Sequence, residues 1–115
     1  MKAYKGFNKD MTCRGFQYKE GKTYETNKAK LCEEGFHACE YPLDCFGYYD
    51  PAESEFHEVE LDGDIDTDNE NDTKVAATKI TVGAKVNIAG LVEAAIAFTK
   101  EKTITSEDAT GDYGA

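Results

Sequence analysis

Phe56-His57-Glu58-Val59-Glu60-Leu61 alternates, with His57, Val59 and Leu61 on one side and Glu58 and Glu60 on the other. Period-two alternation is the pattern of a strand that buries one face and wets the other. The next eleven residues, Asp62 to Asp72, run Asp-Gly-Asp-Ile-Asp-Thr-Asp-Asn-Glu-Asn-Asp. So many carboxylates read as a solvated connection between strands. Val75 to Val82 supplies the second strand. Asn87 then stands as a cap before a helix in which Ile88, Leu91, Val92, Ala95, Ile96 and Thr99 form one amphipathic stripe, with Lys100 and Lys102 closing its last turn. Two strands followed by a capped helix predict an α+β fold in which the stripe covers one face of a small, mainly antiparallel sheet.

Upstream, Tyr4–Phe7, Cys13–Tyr18 and Thr23-Tyr24 read as extended pieces separated by turn signals, among them Glu20-Gly21, as in a small meander or hairpin. Leu31 to Cys39 carries His37 and Cys39 two apart, hence on one side of a strand. Pro42 is preorganised for a first helical position, and Leu43, Phe46 and Tyr49 follow at helical spacing until Asp50-Pro51 stops the run. The expected organisation is one domain over residues 1–102 and a flexible polar tail over 103–115.

The chain has 115 residues, 13 Lys plus Arg, 23 Asp plus Glu and a formal charge of −10. One core is all this length supports, and it buries only roughly two-thirds of the unfolded surface, so a metal cross-link would add noticeably to a small net stability. The charge disfavours direct nucleic-acid binding and favours a protein partner with a basic surface, to which Asp62, Asp64, Asp66 and Asp68 would be attracted. No apolar run has signal-peptide or membrane-spanning length, so a reducing cytosol is expected, with thiols or a metal site in place of disulfides.

Cys13, Cys32, His37 and Cys39 offer three thiolates and an imidazole, the donor set of a closed structural Zn2+ site. The spacing, eighteen residues and then Cys-x4-His-x-Cys, is that of no standard finger or ribbon. Two other readings stand beside zinc: small buried cysteines filling a core, and a cysteine nucleophile served by His37 or His57, for which no nucleophile elbow or oxyanion loop is present. Cys45 and His57 are reserve ligands whose default roles are a buried thiol and a hydrogen-bonded core histidine. The acidic run lacks the glycine and glutamate positions of an EF-hand loop. Tyr41, Tyr48 and Tyr49 are the first candidates for an exposed aromatic contact.

The segments Cys13-Arg14-Gly15-Phe16-Gln17-Tyr18, Gly21-Lys22-Thr23-Tyr24, Gly35-Phe36-His37-Ala38-Cys39-Glu40 and Leu43-Asp44-Cys45-Phe46-Gly47-Tyr48-Tyr49 resemble a domain family of unknown function from bacteriophages and prophages, over about Met1 to Val82. Its recurrent Cys, Cys, His and Cys match Cys13, Cys32, His37 and Cys39, which favours zinc. Longer members look like this domain followed by short Gly-Asp-Tyr repeats, and Ala109 to Ala115 is similar to the opening of such an array. The resemblance implies a phage protein in the bacterial host cytoplasm. Its expected function is inhibition of host defence by protein contact, as an anti-CRISPR protein blocking nucleic-acid access to a CRISPR effector nuclease. A docking or capping domain of a repeat-bearing phage structural protein is the second implication, and a cysteine-dependent enzyme acting on host components the third.

Overall fold

A computed structural model describes residues 1–31, 34–67 and 73–110, with side chains described as far as residue 101. The chain is mostly antiparallel sheet with two helices, one of them C-terminal: β1 (Lys2–Asn8), β2 (Thr12–Cys13), β3 (Phe16–Gln17), β4 (Thr23–Glu25), β5 (Phe36–Cys39), a 3-10 helix (Pro42–Gly47), β6 (Ser54–Thr67), β7 (Lys74–Val86) and α1 (Ile88–Thr110). β6 and β7 form a long hairpin, from Phe56 opposite Val86 to Thr67 opposite Val75. β7 also pairs β5 and β4, and β1 pairs both β6 and β5, so the pairings β7-β5-β1-β6-β7 close on themselves. The β1–β5 seam is registered by Tyr4 opposite Cys39.

The alternation read in β6 holds, with Val59 and Leu61 inward. They join Ala3 and Phe7 of β1, Phe36 and Ala38 of β5, and Val75, Ala77, Ile80 and Val82 of β7 in one buried cluster inside the ring. The other face of the ring carries a second cluster, Tyr4, Cys39, Cys45, Phe56 and Leu91, beneath the helices. β1 is therefore buried on both faces.

Three expectations are corrected. The acidic run is not a loop throughout: β6 continues to Thr67, so Asp62, Asp64 and Asp66 lie on a strand, while Asp68 lies outside the described residues. A bulge makes this possible: Gly63 takes φ +77°, and the Asp64 amide donates to Thr78 Oγ1 at 2.9 Å. The register slip hides the period-two pattern, and carboxylates on the wet face cost a strand nothing. Cys13–Tyr18 is not one segment but a two-residue hairpin with Arg14 (φ +53°) and Gly15 (φ +82°) at its tip. The short helix expected at Pro42 is present and is of the 3-10 type, closed by Asp44 N–H to Tyr41 O and Tyr48 N–H to Cys45 O, both 3.0 Å, as suits six residues.

The third correction concerns α1. Asn87 caps it as expected, its Oδ1 accepting the Gly90 amide at 2.7 Å. Its stripe, however, is split: Leu91 and Ala95 are buried, whereas Ile88, Val92 and Ile96 are 43%, 41% and 50% exposed. At 100° per residue the stripe spans an arc of about 140°, wider than the contact the 3-10 helix and the sheet edge offer. The backbone of α1 also continues past Lys102 to Thr110, into the stretch expected as tail; residues 111–115 lie outside the described residues.

Candidate functional site

The β2–β3 hairpin, β5, the start of β7 and the end of the 3-10 helix surround a pocket of about 530 Å³. Cys13, His37, Cys39 and Cys45 line it, so the fold gathers the thiols and imidazole that are scattered in sequence. Cys32 lies outside the described residues. Cys13, Cys39 and Cys45 are buried and form no disulfide. Cys13 Sγ lies 3.0 Å from Tyr49 Oη, and Cys45 Sγ donates to Tyr4 O at 3.3 Å. Among the described residues no group of three or more His, Cys, Asp and Glu is placed to hold a metal ion. The Lys5 ε-amino group also stands at Cys13, and Cys32, one of the four residues expected as Zn2+ ligands, lies outside the described residues.

Lys5 went unnoticed in the sequence. It is 3% exposed, and its Nζ donates to His37 O at 2.7 Å. The rings of Phe7, Tyr18 and Tyr49 have their centroids 5.7, 5.8 and 5.9 Å from that nitrogen. Burial pushes its pKa below the usual lysine value, against a smaller opposing pull from Cys13, Cys45 and Cys39. The position was legible: Ala3, Lys5 and Phe7 share one side of a strand, and two of the three are plainly core residues.

Tyr49 crosses β1 at Gly6, where an added Cβ would overlap the ring; only glycine leaves room for it. Tyr49 and Tyr18 have their pKa values raised, chiefly by burial. His37 has its pKa lowered, first by burial and then by the positive charges of Lys5 and Lys74. Tyr41, Tyr48 and Tyr49 thus divide: Tyr49 is packing, Tyr48 lies under the Lys74 ammonium at 4.3 Å, and Tyr41 meets Phe98 at 5.5 Å between centroids.

His57 takes the core role. It is 2% exposed, with Nδ1 2.9 Å from Gly83 O and Nε2 3.4 Å from Glu55 Oε2, and Phe7 is edge-on at 5.3 Å. The acidic residues do not form one uninterrupted patch. Asp62 lies opposite Lys79, Glu58 meets Lys2 at 3.6 Å, and Asp66 Oδ2 accepts the Leu31 amide at 2.7 Å.

A second surface was not foreseen. Beside the exposed Val92 and Ile96, a groove of about 230 Å³ is lined also by Tyr41, Leu43, Ala95, Thr99 and Lys100. The width of the aliphatic stripe was the sequence signal for it. No described helix is long and apolar enough to cross a membrane.

A family model described as a domain of unknown function (DUF7666) matches residues 1–94, from β1 into the first turns of α1. No curated protein and no solved structure matches the chain.

Proposed function

Because the chain belongs to the DUF7666 family of domains of unknown function, we propose, from its geometry, that it is a non-catalytic binding module that docks a partner protein along the aliphatic face of α1. The observation that carries this reading is the exposure of Ile88, Val92 and Ile96 on one stripe beside the Tyr41–Leu43 groove. Aliphatic residues at i, i+4 and i+8 are the anchor spacing of a helix laid against an apolar seat. Burying such side chains contributes about 1.5–3 kcal/mol each when complete. The charge of −10 speeds encounter with a partner whose seat has a basic rim. A CRISPR effector nuclease has a basic nucleic-acid surface of that kind, and the inhibition we propose is occupation of it.

The test pairs the chain with a purified effector nuclease. Wild type is expected to slow DNA cleavage. Val92→Asp with Ile96→Asp should weaken that effect at least tenfold while the melting temperature holds, since both positions are exposed. Asp62→Asn with Asp64→Asn should alter mainly the salt dependence of the on-rate. Equal inhibition by the Val92/Ile96 variant would remove α1 as the contact, and no slowing by wild type would remove the nuclease as the partner.

A further inference from the structure

The pocket has a charge opposite to that of the chain around it. Acidic residues outnumber basic ones 23 to 13 overall, yet the described residues lining the pocket include Lys5, Arg14, His37 and Lys74 and neither an Asp nor a Glu. Lys5 sharpens the point. A buried ammonium is costly unless a counter-charge accompanies it, and the described partners of this one are a carbonyl, a thiol and aromatic faces. The walls are aromatic, with Phe16, Tyr18, Phe36 and Tyr48 among them, and the volume is that of a small-molecule site.

We propose that this pocket binds a small molecule in which a carboxylate or phosphate is carried on an aromatic body. The oxyanion supplies a counter-charge that the described partners of Lys5 do not, and Arg14 at the hairpin tip holds it from the mouth. The aromatic body lies against the ring walls, where flat faces stack at little entropic cost. This site is separate from the α1 face, so neither proposal depends on the other.

The experiment is calorimetric titration of the whole chain, in buffer containing a chelator, with phenyl phosphate, benzoate, inorganic phosphate and phenol as probes. Phenyl phosphate or benzoate should bind saturably and at least tenfold more tightly than phenol or inorganic phosphate; which of the two is preferred separates a phosphate site from a carboxylate site. Lys5→Met should weaken the preferred probe at least tenfold. Arg14→Gln, at an exposed turn where folding is not at risk, should weaken it severalfold. The proposal is overturned if phenol binds as tightly as the anions, if both variants bind like wild type, if anions bind only without chelator, or if neither aromatic anion saturates by about 10 mM.

Discussion

Lys5 has an ionisation that the rest of the molecule must accommodate, and its sign can be worked out. Its folded pKa lies below the ordinary value of 10.5, so between the two values the unfolded chain holds a proton that the native chain has released. Stability therefore rises with pH across that window. The groups facing it, Cys13, Cys39 and Cys45, pull the other way but less strongly than burial does. Tyr18 and Tyr49 have raised values, which lower stability only above about pH 10. Lys5→Met is expected to be more stable than wild type at neutral pH, on the order of 1 kcal/mol, with the gap closing as pH approaches 10. Denaturant melts at a series of pH values check this, and a gap independent of pH would mean that Lys5 keeps its proton throughout. At this scale the sequence was partly legible. His57 reads as a core histidine and is one, because its neighbours fix which way it faces. The donor types of the cysteines are visible in a sequence, whereas the Lys5 side chain packed beside Cys13 is not.

Among the elements, α1 was the most legible, because a cap and a 3.6-residue period are local. Removing the cap in Asn87→Ala deprives the Gly90 amide of its acceptor and should cost about 1 kcal/mol, measurable by urea melts. The first turn holds Ile88, so partner binding should weaken in the same variant. The 14 residues of β6 were less legible. Leu61 and Ile65 bracket a bulge, and a bulge shifts the alternation on which strand reading depends. A small meander or hairpin was legible in this region, but not its turn at Arg14-Gly15, for a related reason: the strands are two residues each, too short to show any period.

For the molecule as a whole, the composition bounded size and charge, and the α+β class followed from the order of patterns. The closed ring did not, because a strand's pattern says which face is buried but not which strand lies beside it. The ring also predicts an order of events. β6 and β7 are neighbours along the chain and can zip together from their connection, whereas β1 pairs with residues of β6 more than forty positions away. Bringing distant segments together carries the larger loop-closure cost. Pulse-labelled hydrogen exchange during refolding should find amides of β6 and β7 protected before those of β1; simultaneous protection would mean that the ring forms in one step. Since β1 is also the strand that carries Lys5 and seats Tyr49, that order would make the pocket the last part of the molecule to be assembled, and a chain caught before that point would already hold its hairpin while having nowhere to receive a ligand.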